Sequence, residues 1–287
     1  MFQIFRVGAS LAAFAVLALA QTQQDDSDKR FSPAFGGRRV ALVIGNKSYP
    51  WKPLVNPVND ATAVAQTLAD LGFARTDIHL VLDANRETLR RVKREFVESI
   101  RPGDLAFVYY SGHGVEVQGA NYLLPIDLPS DSSEEYVQDE AVSAQSLLRE
   151  MDQRGAKAKV LILDACRDNP LRASKSTAGG LAPMEGKGSL ILFATEAGRT
   201  ASDTPGSANS VFTRYLIEGL RRPGVPLDEV MKGVARNVAR ATNDKQVPSM
   251  YGLMLEDLVL LKANARHALD QEAWDAVRNS TNPNTLQ

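Results

Sequence analysis

Short continuous apolar runs alternate with amphipathic stretches along most of this chain. Residues 40–45 (VALVIG) are apolar on consecutive positions, as in a strand covered on both faces. Residues 60–71 follow with apolar positions at helical spacing, and Gly72 closes them. A second strand is expected over 77–82. Asn85 then reads as the N-cap of a basic helix through Ile100, which Pro102-Gly103 ends. Apolar runs at 105–110 and 159–163 predict two further buried strands, with a helix over 141–151 between them. A strand over 189–195 and helices over 209–220 and 227–241 complete the pattern. Such alternation predicts an α/β fold with a mostly parallel sheet flanked by helices.

Two of these strands end in reactive side chains. The run at 105–110 passes into Ser111-Gly112-His113-Gly114, and the run at 159–163 into Asp164-Ala165-Cys166-Arg167. Open α/β sheets bind their ligands just outside the carboxyl ends of the strands, so His113 and Cys166 are candidates for one site. Cys166 is the sole cysteine of the 287 residues. A buried structural cysteine has no need of the polar residues around it, and a core histidine has no need of glycine on both sides. A thiol attacks a carbonyl only as thiolate, and an imidazole beside it takes the proton and later returns one to the leaving group. Cys166 is therefore assigned as nucleophile and His113 as general base and acid. A lone thiol excludes an internal disulfide and a C-x-x-C redox pair.

Five blocks in order resemble the caspase–metacaspase superfamily. They are Arg38–Asn46, Leu54–Ala61, Tyr110–Gly114, Asp164–Arg167, and Leu192–Thr195 with Asn209–Thr213. The 53 positions from His113 to Cys166 fit the order and spacing of caspases. The likeness covers about residues 38–262 and is nearest to the bacterial, orthocaspase branch. It implies a three-layer caspase-like fold with a mostly parallel six-stranded sheet. It also implies an oxyanion hole built from the backbone N–H groups of Gly114 and Cys166. The residues around the thiol differ from animal caspases: the signature positions for Gln and Gly hold Asp164 and Asp168. By similarity to metacaspases, Asp60, Ser111 and Asp164 line the substrate pocket, and Asp203 falls where animal caspases carry an arginine. Carboxylates in a pocket favour a cation and reject an anion. Cleavage after Arg, less often Lys, is the expectation, with a peptide or protein as the partner. The other class of function open to such a chain is a catalytically silent caspase-fold protein that binds peptides or scaffolds the cell envelope.

Composition adds limits. Net charge is −1, which gives no general attraction to nucleic acid or anionic lipid. Arg6, the apolar run 7–20 and Ala18-Leu19-Ala20 read as a signal peptide cut near Ala20/Gln21. A periplasmic or secreted protein without a stable membrane span after processing is then expected, as a monomer. Residues 21–37 read as a linker and 38–262 as the peptidase domain. Within it, 38–171 resemble the large subunit, 172–188 a Ser-, Gly- and Lys-containing linker open to self-processing, and 189–262 the small subunit. Residues 263–287 read as a helical extension. Metacaspases are often activated by calcium, and Asp127, Asp131, Glu134, Glu135, Asp139 and Glu140 are an acidic stretch. They lack a ligand spacing, so neither a metal site nor another cofactor is assigned. His79 and His267 receive no role.

Overall fold

The computed structural model describes residues 35–166 (the backbone alone at Cys166), 181–184, 186, 188–195, 207–254 and 256–262. The elements run β1 Arg39–Gly45, α1 Pro57–Asp70, β2 Ile78–Leu82, α2 Arg86–Ser99, β3 Leu105–Val117 and β4 Ala120–Leu123. They continue α3 Glu134–Glu140, β5 Val142–Ser143, α4 Ala144–Gln153, β6 Ala158–Cys166 and β7 Ser189–Phe193. Last come α5 Val211–Leu220, α6 Leu227–Ala241 and β8 Ser249–Tyr251. The strand order is β2-β1-β3-β6-β7-β8, parallel except for β8. This is the mostly parallel, helix-flanked sheet that the alternation predicts.

Period-two alternation divides the strand residues between two cores. Ala41, Val43, Phe107, Tyr109, Val160 and Ile162 face α1, α5 and α6. Val40, Leu42, Ile44, Ala106, Val108, Leu161 and Leu163 face α2 and α4. Both faces are covered, which is why these strands read as unbroken apolar runs rather than as alternating ones. Beyond His113, β3 leaves the main sheet and pairs antiparallel with β4, and β4 with β5. This small antiparallel lobe shelters a third cluster of Tyr49, Val115, Val117, Leu124, Leu128 and Val137.

Local chemistry explains the boundaries. Asn85 caps α2, its side chain accepting from the Thr88 N–H at 2.9 Å, as its sequence position indicates. α1 starts at Pro57 rather than at Asp60, because proline at the first helical position is already in helical φ. The helix expected over 141–151 starts at Ala144. Val142 and Ser143 pair with β4 instead, and Ser143 caps α4. Gly45 lets α1 cross the end of β1 closely: a Cβ there would lie 2.3 Å from the Pro57 carbonyl oxygen and 2.7 Å from the Ala61 Cβ. Buried Arg39 donates to the carbonyls of Leu71 (2.8 Å) and Leu260 (3.2 Å) and so joins distant parts of the chain. With no carboxylate partner among the described residues, burial pulls its guanidinium down to about 10.

Crowding at Gly45 gives a stability test. Overpacking a filled core costs about 1–3 kcal/mol, and Gly45→Ala is expected to lose that much in urea unfolding. Gly36→Ala, where a Cβ meets nothing within 4 Å, should stay within about 0.5 kcal/mol of the parent.

Candidate active site

The register between β3 and β6 sets the site. Leu105 pairs with Ala158, and the pairing runs without interruption to Ser111 with Asp164, Gly112 with Ala165 and His113 with Cys166. Adjacent strands lie about 4.8 Å apart, so the backbones of the two expected catalytic residues stand side by side at the carboxyl end of the sheet.

His113 is buried, and its imidazole is held on several sides. Its Nε2 lies 2.8 Å from the Lys52 carbonyl oxygen. A carbonyl only accepts, so Nε2 carries the hydrogen and, in the neutral ring, Nδ1 keeps the lone pair. Trp51 stacks on the ring at 4.8 Å and 21°, and Tyr49 packs against it at 4.5 Å and 58°. The backbone is pinned as well. The His113 N–H donates to the Tyr49 hydroxyl at 3.1 Å, which donates to the Leu124 carbonyl at 2.9 Å. The His113 carbonyl accepts from the Tyr110 hydroxyl at 2.5 Å and from the Leu124 N–H at 3.0 Å. Glycine at 112 makes room for both phenols: a Cβ would lie 2.7 Å from the Tyr110 hydroxyl and 2.9 Å from that of Tyr49. Gly114 is confined between strands, where a Cβ would approach the Ala165 Cβ to 3.2 Å.

The loop after β1 supplies these contacts and is itself clamped. Buried Asn46 donates to the Leu124 carbonyl at 3.1 Å and accepts from the Ala84 N–H at 2.9 Å. Asp83, at the end of β2 and at φ 50°, accepts from the Lys47 N–H (2.8 Å), the Ser48 N–H (2.9 Å) and the Ser48 hydroxyl (2.7 Å). Burial pushes its carboxyl up, but these hydrogen bonds outweigh it and leave the group below its usual value.

Asp60, Ser111 and Asp164 come together on the α1/α5 side of the sheet, all buried. Asp60 accepts from the Asn209 amide at 2.9 Å and the Ser210 N–H at 3.0 Å. Asp164 accepts from the Ser210 hydroxyl at 3.1 Å and the Thr213 hydroxyl at 3.2 Å. Ser210 thus links the two carboxylates while capping α5, whose N-terminal dipole favours negative charge nearby. The Tyr109 phenol donates to Thr213 at 2.7 Å, and burial, then the charges of Asp164 and Asp60, push it well above its ordinary value.

The family follows from comparison with known proteins. A caspase-domain family model matches residues 38–260. The chain belongs to the caspase-domain family. It is 26% identical over 219 residues to the human mucosa-associated lymphoid tissue lymphoma translocation protein 1, covering 74% of this chain and 26% of that protein. It is similar to metacaspase-7 of Arabidopsis thaliana (34% over 87 residues; 27% of this chain, 21% of that one). Metacaspase-5 of Trypanosoma cruzi is 31% identical over 98 residues (30% of this chain, 22% of that one). The chain spans about a quarter of the length of these relatives.

Within the caspase domain, five expected site residues converge: His113, Gly114, Asp60, Ser111 and Asp164. Cys166 joins them through its backbone register. Asp203, the expected signal segment 1–20, the stretch 263–287 and most of 172–188 lie outside the described residues. The Lys52 carbonyl, Trp51, Tyr49, Asn209, Ser210 and Thr213 were not singled out by sequence as site residues, though Asn209, Ser210 and Thr213 fall inside a family block. In the acidic stretch, Asp127 pairs with Arg86, and Glu140 with Arg86 and Arg90. Among the described residues no group of three or more His, Cys, Asp or Glu stands as a metal site, and no helix is long and apolar enough to cross a membrane.

The Asp83 clamp gives a pH-dependence. A carboxyl lowered by folding contributes stability that is fully present above its unfolded value, near 3.8, and lost as pH falls through the folded value. The gap in Tm between the parent and Asp83→Ala should be constant from about pH 5 to 7 and narrow below about pH 4, to the part that alanine at φ 50° costs at any pH. Melting curves across that range check it. A gap that widens on acidification would contradict the clamp.

Proposed function

We propose that this caspase-domain chain is a cysteine endopeptidase that cuts after Arg, less readily after Lys, through Cys166 and His113. One observation carries the reading. The same two adjacent strands bear His113 opposite Cys166 and, two residues earlier, Ser111 opposite Asp164, with Asp60 brought up by α1. Reacting groups and acidic pocket therefore share one strand register.

In the reaction, His113 Nδ1 takes the Cys166 thiol proton, and the Nε2–H bond to the Lys52 carbonyl steadies the imidazolium. The thiolate adds to the scissile carbonyl. The N–H groups of Gly114 and Cys166 receive the oxyanion, a role for backbone donors held in place beforehand. His113 returns the proton to the leaving amine, leaving an acyl-enzyme. Water, deprotonated by His113, then releases the acid and the thiol. Asp60 and Asp164 supply the negative field that draws a guanidinium or ammonium into the pocket, with Ser111 opposite Asp164 in the register. Asp203 adds a third carboxylate on the strength of resemblance. No metal enters any step.

The test is release of fluorophore from matched peptides ending in Arg, Lys, citrulline or Asp. Arg is expected to be the best substrate, and turnover should vanish in Cys166→Ala. Citrulline keeps the shape of Arg without its charge. Losing one partner of a buried charge pair costs about 2–5 kcal/mol, so the Arg-over-citrulline preference should be at least about 30-fold and collapse in Asp164→Asn. Turnover after Asp alone would overturn the pocket, and no turnover at all would favour a silent, peptide-binding caspase fold.

A further inference from the structure

The geometry points to Trp51 as a positioning residue for His113, an inference that rests on the peptidase reading. Trp51 reaches the imidazole in two ways. Its indole lies nearly parallel to the ring at 4.8 Å, and its own peptide leads directly into Lys52, whose carbonyl takes the Nε2 hydrogen at 2.8 Å. Wherever Trp51 sits, the acceptor for Nε2 sits with it.

The indole is itself fixed. Its Nε1–H donates to the carbonyl of Leu128 at 2.8 Å, and Leu128 is buried in the cluster beneath the antiparallel lobe. Tyr49, 5.4 Å from Trp51, closes another side of the imidazole and holds the His113 backbone through its hydroxyl. A flat ring on one face, a tilted ring on another and an acceptor at Nε2 leave the imidazole little freedom about its last torsion. Nδ1 is then kept on the side away from Lys52. An aliphatic side chain in its place would fill part of the space but impose no plane, so Nδ1 would spend less time in the single orientation that the Lys52 contact sets. Binding of the substrate would be untouched, because Asp60, Ser111 and Asp164 are held by α1, the β3–β6 register and α5 rather than by this loop. Loss of Trp51 should therefore appear in kcat and not in KM.

Two substitutions separate the flat face from mere bulk: Trp51→Leu and Trp51→Phe. With the Arg peptide, Trp51→Leu is expected to lower kcat at least tenfold with KM within twofold of the parent, and Trp51→Phe to recover kcat to within threefold. A folded Trp51→Leu protein with kcat within twofold of the parent would overturn the inference. So would a KM that rises in step, or a Trp51→Phe variant as slow as Trp51→Leu. If the parent cleaves no peptide, the peptidase reading falls on its own, and NMR still decides the positioning. The chain holds three histidines, so the His113 ring protons can be assigned with His113→Gln. They should be shifted upfield in the parent and move back downfield in Trp51→Leu, leaving only the smaller shift due to the Tyr49 ring. Unshifted ring protons in the parent would refute the stack.

Discussion

Parallel pairing of β3 with β6 is the constraint on which the rest of the site depends. Nine consecutive partners, from Leu105 with Ala158 to His113 with Cys166, fix which residues share a level and which share a face. A slip of β6 by one position would carry Val160, Ile162 and Asp164 to the opposite face of the sheet. The two cores prevent this, because Phe107 and Val160 are buried against α1 and α5 while Val108 and Leu161 are buried against α2 and α4. The apolar interior thus sets the alignment of polar groups several residues beyond it.

Polar groups at the strand ends are buried, and burying an unpartnered one is costly. The structure meets this with hydrogen bonds that also give geometry. Asn46 ties the end of β1 to Leu124 and Ala84, Tyr49 and Tyr110 hold both backbone groups of His113, and Ser210 spans Asp60 and Asp164. The same bonds that satisfy buried groups leave the site little room to rearrange. Asn56, one turn before Asp60 on α1, is the contrasting case: it is buried, and neither end of its amide has a partner among the described residues.

Much of this was legible in the sequence because it rests on local chemistry. The apolar runs marked the central strands, Asn85 marked the start of α2, and glycines on both sides of His113 marked a backbone under close approach. The resemblance brought Asp60, Ser111 and Asp164 to one place, and the structure puts them there. What stayed hidden depends on contacts between distant segments. Lys52 contributes a carbonyl, which no residue type announces, and Trp51 sits in a loop where an aromatic has no period to betray it. Short β5 and β8 lack enough residues for a pattern, and Pro57 moved the start of α1 upstream of the first helical apolar position. Ser210 reads as an ordinary helix cap until Asp60 and Asp164 appear on either side of it.

The central claim is that one register joins a reactive thiol to an acidic pocket. The most direct measurement is the rate at which matched peptidyl chloromethyl ketones ending in Arg or Asp alkylate the protein, with intact and peptide-level mass spectrometry to locate the label. One equivalent on Cys166, formed at least about 100-fold faster by the Arg reagent, is the predicted result, since a pocket of like charge disfavours Asp by several kcal/mol. Equal rates for the two reagents, or labelling no faster than that of a small neutral alkylator, would contradict the account.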